Sequence, residues 1–204
     1  MINKNKTFID TNILLFMKSF DKYPVDEWLE ALYDTIYVHK DIVEELKSEA
    51  TRNFIQNKIS ISKIWKLFNP EDEEFLSEED YHIYEAIYNQ NRIYFNEYQK
   101  TRKHKATSDL GDIAILSGCQ FLKIPLISSH DSDFRAIIGQ YDLKINDGLE
   151  VDEEELISVD SLFEIGDKLI EKEICRRSEY RKFIKVSLGT SKTGQIDAHF
   201  RSDS

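Results

Sequence analysis

The segment KTFIDTNILLF at residues 6–16 shows how this chain alternates between strand and helix. A short apolar run ends in Asp10, a polar pair follows at Thr11 and Asn12, and a second apolar stretch comes directly after it. This order is typical of a buried strand that leads through a polar turn into a helix. The segment therefore predicts a strand whose carboxyl end presents the side chain of Asp10.

The same plan recurs further along the chain. Residues 35–55, 109–134 and 156–174 each combine a short apolar run with a stretch of helical apolar spacing. Asp160 or Ser161 is expected to cap the last of these helices. Strands that alternate with helices predict an α/β fold in which a largely parallel sheet is covered on both faces. Ligands of such sheets bind beyond the carboxyl ends of the strands.

Two segments depart from this plan. ISISKIWKLF at 59–68 fits either a helix or a short edge strand, whereas the tyrosine-rich stretch 81–100 has a helical period. We predict that residues 53–105 form a mostly helical insertion within one domain, residues 1–170. Residues 171–204 are expected to complete the last helix and to end in a weakly ordered tail.

The composition limits the classes of function. The formal net charge of −11 argues against attraction of nucleic acid by the whole surface. The acid is concentrated at 71–80 and 147–155, whereas 99–105 is basic, so a local basic stripe remains compatible with the sequence. No stretch approaches the roughly 18 apolar residues that span a bilayer, and Cys119 and Cys175 lie far apart without a metal-ligand spacing. We expect a cytoplasmic protein with reduced thiols and no membrane association.

Four acidic residues fall where the predicted sheet would gather them. Asp10 ends the first strand and Asp131 follows the strand at 125–128, while Asp112 opens the preceding helix. Glu45 lies about one turn into the helix after the second strand. Crowded carboxylates need neutralisation, and a hard divalent cation with oxygen ligands supplies it. The pattern predicts Mg²⁺ or Mn²⁺, and two such ions roughly 4 Å apart can support in-line displacement at a phosphodiester.

The motifs FIDTNILL, VEEL, SDLGDIAIL and SSHDSDF, in that order, resemble the PIN domain family. The resemblance covers residues 5–58 and 106–170, and it implies a parallel-sheet, three-layer PIN-like sandwich. It also implies metal-dependent endonucleolytic hydrolysis of RNA, as in the toxins of bacterial toxin–antitoxin pairs, with an inhibitory antitoxin or other protein partner and a homodimer. By position it assigns the catalytic acids, which are Asp10, Glu45, Asp112 and Asp131. The metal ligands that it assigns are Asp10, Asp112, Asp131 and Asp133.

Alternatives stay open beside these assignments, because caps, turns and solvated helix faces use the same residue types. The candidates for a supporting role are Asn12, Glu44, Asp109 and Ser129. Arg102, Lys103 and Lys105 are candidates for RNA binding, although a solvated helix face accounts for them equally well.

Other functions fit the sequence less closely. An aspartyl phosphotransferase of the haloacid dehalogenase kind needs a second Asp two residues after the first, where this chain has Asn12. A non-catalytic PIN-like binding or scaffold module, and a nuclease that acts on DNA, remain alternatives. Recognition of the 2′-hydroxyl leaves no simple motif that would separate RNA from DNA.

Overall fold

The computed structural model describes residues 5–19, 22–101, 110–146 and 154–201, in which helices flank a central sheet. The strands are β1 (Lys6–Ile9), β2 (Thr35–His39), β3 (Trp65–Phe68), β4 (Leu126–Ser128), β5 (Lys144–Asn146), β6 (Glu154–Leu156) and β7 (Ser158–Asp160). The helices are α1 (Thr11–Ser19), α2 (Val25–Leu32), α3 (Lys40–Glu45), α4 (Glu49–Ile61), α5 (Glu78–Lys100), α6 (Leu110–Leu122), α7 (Ser132–Tyr141), α8 (Leu162–Glu171), α9 (Arg177–Leu188) and α10 (Thr193–His199), with a 3₁₀ turn at Thr190–Lys192.

The central sheet is parallel throughout, with the strand order β3-β2-β1-β4-β7. Its middle strands are apolar and fully buried, as at Phe8, Ile36 and Ile127. Strands buried on both faces read as continuous apolar runs, which is how they were recognised in the sequence. The predicted α/β sandwich with a parallel sheet is confirmed. Because β1 pairs with both β2 and β4, the carboxyl ends of three strands meet at one edge.

Helix α6 packs closely against the centre of the sheet, and all of its residues from Ile113 to Cys119 are buried. A Cβ atom at Gly118 would lie 2.5 Å from the ring of Phe8. The glycine therefore permits the close approach of α6 to β1, and this approach brings the first turn of α6 to the carboxyl edge of the sheet.

Residues 53–105 contribute to the sheet as well as to the helices. WKLF forms β3, which pairs in parallel with β2 as the edge strand, and the apolar residues before it belong to the end of α4. Helix α5 packs along α6, where the buried Asn91 donates to Ser117 Oγ at 2.9 Å and to Gln120 Oε1 at 2.8 Å. The segment is mostly helical, but it is integrated with the core and is not a separate appendage.

The predicted last strand is divided between two sheets. Strand β6 pairs antiparallel with β5, whereas β7 joins the central sheet beside β4. Of the two expected caps for the following helix, Ser161 fills the role. Its hydroxyl accepts from the amide of Phe163, and its own amide donates to Glu164 in a capping box.

The tail from residue 187 onward was expected to be weakly ordered, but the structure has helices there as far as His199. Helix α9 and helix α10 pack on the body of the protein, and Ile196 and Phe200 are buried. Trp28 of α2 contacts the rings of Tyr180 and Phe183 at centroid distances of 5.9 Å. The tail is ordered because its widely spaced apolar residues join an aromatic cluster supplied by distant parts of the chain.

Within the described ranges, no helix is both long enough and apolar enough to cross a membrane.

Candidate active site

Asp10 lies at the middle of the carboxyl edge. Its amide donates to the carbonyl of Ser128 at 3.0 Å, which continues the pairing of β1 with β4. Its carbonyl accepts from the amides of Ile13 and Leu14 at 3.1 and 3.2 Å, so α1 starts directly after it. The side chain is only 5% exposed. A strand end and a helix start thus hold this carboxyl in the interior.

Asn12 and Ser129 hold the carboxyl of Asp10. Ser129 Oγ donates to Asp10 Oδ2 at 2.6 Å, and Asn12 Nδ2 donates to the same oxygen. Asn12 Oδ1 in turn accepts from the amide of His130 at 3.0 Å, and Ser129 Oγ accepts from the amide of Asp131 at 3.0 Å. The loop after β4, which carries Asp131, is therefore tied to the loop after β1.

The pKa of Asp10 is raised to about 6, mainly by burial and also by the nearby charges of Asp131 and Glu45, while the hydrogen bond from Ser129 opposes the shift. These causes show that Asp131 and Glu45 both lie close enough to Asp10 to repel its charge. No Lys or Arg forms an ion pair with Asp10 within the part of the chain that the structure describes.

Another buried acid at this edge differs in its surroundings. Asp160 ends β7 and is also 5% exposed, but Lys168 forms an ion pair with it and Tyr33 donates a hydrogen bond at 3.3 Å. Its charge is thereby compensated within the protein. Asp10 lacks such compensation among the described residues, so it is the carboxyl to which an added cation would bring the larger relief.

Glu45 is the last residue of α3, and its carboxylate reaches the first turn of α6. Oε1 accepts from the amide of Gly111 at 3.1 Å, and Oε2 accepts from the hydroxyl of Thr11 at 3.3 Å. A Cβ atom at Gly111 would lie 2.7 and 2.8 Å from the two carboxylate oxygens. Glu44 instead points toward Lys40, 3.9 Å away, so of the two neighbouring acids Glu45 is the one directed at Asp10.

The remaining predicted acids lie at the starts of α6 and α7. Asp112 is half-buried in the first turn of α6, next to Gly111. Asp131 caps α7, where its Oδ1 accepts from the amide of Asp133 at 2.9 Å, and Asp133 is buried in that first turn. The expectations for Asp109, Arg102, Lys103 and Lys105 fall outside the described residues.

The sequence did not single out the two groups that hold Glu45, namely the amide of Gly111 and the hydroxyl of Thr11. The only sequence signal for Gly111 is its position directly before Asp112, at the start of a predicted helix. Ser129 was expected to have a supporting role at most, and its bond to Asp10 shows what that support consists of.

The donor set suits a hard divalent cation, because it consists of carboxylates and the buried carboxyl of Asp10 has a raised pKa. Among the described residues, no three acidic, histidine or cysteine side chains converge into a complete metal cage. Mg²⁺ commonly uses one or two carboxylates together with water and substrate phosphates, so carboxylates arranged around a buried Asp fit it without such a cage.

Comparison with known proteins gives a family for this chain. A search of curated proteins finds no match. The model of the PIN domain matches residues 7–139, more than half of the chain, and this range includes Asp10, Glu45, Asp112, Asp131 and Asp133. PIN domains are generally nucleases that use divalent metals. The agreement of the match with the parallel sheet and with the acids at its carboxyl edge leads to one conclusion: the chain belongs to the PIN domain family.

Proposed function

We propose that this protein is an endoribonuclease that depends on Mg²⁺ or Mn²⁺ and hydrolyses RNA phosphodiester bonds. The observation that carries the proposal is the buried carboxyl of Asp10. Its pKa is raised to about 6, and the charges of Glu45 and Asp131 act on it without a cation of the described residues paired to it. An arrangement of this kind is destabilising for the protein alone and becomes favourable when a divalent cation binds.

The residues proposed to hold the cation are Asp10, Asp112 and Asp131, with Asp133 as a further ligand. When bound, Mg²⁺ or Mn²⁺ supplies Lewis-acid stabilisation of the charge that develops during phosphodiester hydrolysis. Asn12 and Ser129 keep the Asp10 carboxylate in a fixed orientation through their bonds to Oδ2. Glu45 is held by Gly111 and Thr11, so that its charge stays beside Asp10.

Asp10 must be ionised to serve as a ligand. Its raised pKa means that a large fraction of the carboxyl is protonated near pH 6 when no cation is bound. Proton and cation therefore compete for the same oxygens. We infer that the site binds its cation with release of a proton under mildly acidic conditions.

Cleavage of a labelled single-stranded RNA and of a matched DNA tests the proposal, with Mg²⁺, Mn²⁺ or EDTA present. We expect RNA to be cut with either metal, not in EDTA, and not by Asp10→Asn. Glu27→Gln, which removes an exposed charge on α2, is the matched control and should cut as the unmodified protein does. Cleavage of DNA alone would point to a DNA nuclease, and cleavage of neither would favour a non-catalytic binding module. A fully active Asp10→Asn protein would refute the mechanism.

The proposal extends to a toxin of a toxin–antitoxin or defence system, with an inhibitory protein partner and a homodimer as assembled forms. Its support is the resemblance of the four motifs to the PIN domain family, which implies RNA hydrolysis as in the toxins of bacterial toxin–antitoxin pairs. Induced expression in a bacterial host should arrest growth, whereas Asp10→Asn should not. Equal arrest by both proteins would separate toxicity from nuclease activity, and sedimentation of the purified protein tests the dimer.

A further inference from the structure

A second polar feature lies at the same edge of the sheet, beyond the ends of β2 and β3. It is a cavity of about 330 Å³, within the range of roughly 300–1,000 Å³ that is usual for small-ligand pockets. Its walls include Asp41 of α3 and Tyr81, Tyr84 and Tyr88 of α5. Asp41 and Glu45 lie four residues apart on α3, so they share one face of that helix. The cavity therefore lies directly beside the candidate active site.

Three tyrosines give the cavity an aromatic wall. Tyr84 is buried, with its ring centroid 6.1 Å from that of Tyr88, while Tyr81 and Tyr88 are half-buried. Exposed faces of aromatic side chains at a cavity wall are the surfaces on which unstacked bases are held in single-stranded nucleic acids. Unlike Phe or Leu, which would fill a core equally well, the tyrosines also bring hydroxyl groups to the cavity.

The floor of the cavity is fixed by a neutral histidine. His39 is 1% exposed, and its Nδ1 accepts from the amide of Asp41 at 3.1 Å. Its other nitrogen, Nε2, then carries the proton and donates to the hydroxyl of Tyr84 at 2.9 Å. Burial lowers the pKa of His39 to about 3, so the ring is uncharged at neutral pH. The two hydrogen bonds of His39 hold the backbone amide of Asp41 and the hydroxyl of Tyr84 in place without adding charge.

The polar groups of the wall suit a neutral ligand rich in hydrogen-bond donors. Asp41 is a half-buried carboxylate acceptor, and Asn89 offers an exposed amide beside it. Glu71 also lines the cavity, where Lys40 forms an ion pair with it. These acids would repel a phosphate inside the cavity, whereas they can accept hydrogen bonds from the N–H groups of a base. Arg92 stands at the exposed rim, where it can meet the phosphate that a nucleotide carries outside the cavity.

We propose that this cavity, lined by Asp41, Tyr81, Tyr88 and Asn89, receives one unstacked guanine base of a single-stranded RNA substrate. The inference rests on the proposed function in that the rest of the RNA runs to Asp10. Guanine presents two adjacent donors, N1–H and the N2 amino group, on the edge that base pairing uses, and one carboxylate accepts both. Adenine, cytosine and uracil lack that pair of adjacent donors.

Glu45 gives the direction in which the substrate would run. It follows Asp41 by one helical turn, so the two residues share one face of α3. A nucleotide whose base lies against the tyrosine wall can therefore place a neighbouring phosphate at the acids around Asp10. The cavity thus supplies base preference, and the acids supply hydrolysis.

Calorimetric titration with guanosine 5′-monophosphate, compared with the adenosine, cytidine and uridine monophosphates, tests the proposal in EDTA, where no cleavage occurs. We expect guanosine monophosphate to bind best. Asp41→Asn should weaken it about tenfold and remove the preference for guanine, because the substitution replaces one of the two acceptor oxygens with an NH₂ group that donates. Tyr88→Leu should weaken all four nucleotides by about tenfold through lost stacking. Glu27→Gln is the charge-matched control and should bind normally.

Arg92→Gln separates the rim from the cavity. It should weaken guanosine monophosphate several-fold and leave guanosine unchanged, a difference that general destabilisation would not produce. Absence of nucleotide binding at millimolar concentration, or a guanine preference that survives Asp41→Asn, would overturn the inference.

The same titration with Asp10→Asn keeps the two proposals distinguishable. This variant should bind guanosine monophosphate normally while it fails to cleave RNA. If the unmodified protein binds the nucleotide but cuts no RNA, the proposed function fails and the base site stands. If it cuts RNA without preference at guanine and binds no nucleotide, the base site fails alone.

Discussion

At the carboxyl edge of the sheet, the half at β1 and β4 contains Asp10 and Asp131, with Glu45 of α3 beside Asp10, whereas the half at β2 and β3 contains His39, which is hydrogen-bonded to Tyr84 of α5. We call these the acid half and the tyrosine half. Burial favours the neutral form in both, since it raises the pKa of Asp10 to about 6 and lowers that of His39 to about 3. His39 is therefore neutral throughout the physiological range, but Asp10 is not.

The difference lies in what each buried group has as a partner. His39 satisfies both ring nitrogens, one with the amide of Asp41 and one with Tyr84, and needs no ion. Asp10 receives hydrogen bonds from Asn12 and Ser129, but its electrostatic neighbours are acids. The acid half thus carries an unbalanced charge that a cation or a proton can neutralise. In the tyrosine half, both nitrogens of the buried His39 already have hydrogen-bond partners within the protein.

The largest effect is expected within the acid half, from two neighbouring residues of α3. Glu45→Gln keeps an oxygen for the amide of Gly111 but removes the charge beside Asp10, so metal-dependent cleavage should fall about 10- to 100-fold. Glu44→Gln removes the same charge from a side chain that faces Lys40, and cleavage should stay within about twofold. Initial rates at saturating Mg²⁺ measure both, and equal losses would mean that the direction of Glu45 is irrelevant.

The second prediction concerns pH. Because the folded pKa of Asp10 lies above its ordinary value of 3.8, the ionised fraction falls about tenfold for each pH unit below 6. At a low, fixed concentration of Mg²⁺, cleavage should decline as the pH drops through about 6, and a higher concentration should move the decline to lower pH. The metal-free fold loses stability as the pH rises from about 3.8 to about 6 and stays destabilised above that, so Mg²⁺ should raise the Tm more at pH 7.5 than at pH 5. A Tm increase that is independent of pH would contradict the role given to Asp10.

The third prediction compares two glycines. Gly111→Ala places a Cβ within 2.8 Å of the Glu45 carboxylate and of Ile42, and it should lower the free energy of unfolding by about 1–3 kcal/mol. Gly139→Ala in α7 meets no atom within 4 Å and should raise it by about 0.5–1 kcal/mol, because alanine favours the helix. Urea denaturation measures both. If both substitutions stabilise the protein, the contact of Glu45 with the start of α6 is not a tight one.

Sequence periodicity was enough for the middle of the sheet, because buried parallel strands such as β1 leave continuous apolar runs. It was not enough for β3, since ISISKIWKLF satisfies both a helical and a strand period, and only pairing with β2 decides between them. The tail was misjudged for a related reason. Ile196 and Phe200 are too sparse to indicate order, and the rings of Phe163 and Tyr180 that cover Phe200 belong to earlier helices.

The candidate site divides in the same way. The position of Asp10 follows from the strand that precedes it, which local sequence specifies. The VEEL motif favours Glu45 over Glu44 only by resemblance, since the group that orients Glu45, the amide of Gly111, lies 66 residues away along the chain. The cavity of the tyrosine half was missed because its wall joins α3 to α5, and the tyrosines alone looked like an ordinary helical face.

The smallest effect on cleavage, and the sharpest test of the contrast between the halves, is expected from Tyr84→Phe. It removes the acceptor of the proton on His39 Nε2 in a site where His39 is 1% exposed, so the free energy of unfolding should fall by about 1–3 kcal/mol. Tyr81→Phe, at a half-buried neighbour on the same helix, is the matched control and should change stability by less than about 0.5 kcal/mol.

Metal-dependent cleavage of an RNA without guanine should persist in both variants at temperatures where they are folded, because neither tyrosine contributes charge to the site around Asp10. If Tyr84→Phe instead reduced cleavage as strongly as Glu45→Gln, the histidine–tyrosine pair would be part of the hydrolytic machinery, and the two halves of the edge would have to be treated as one site.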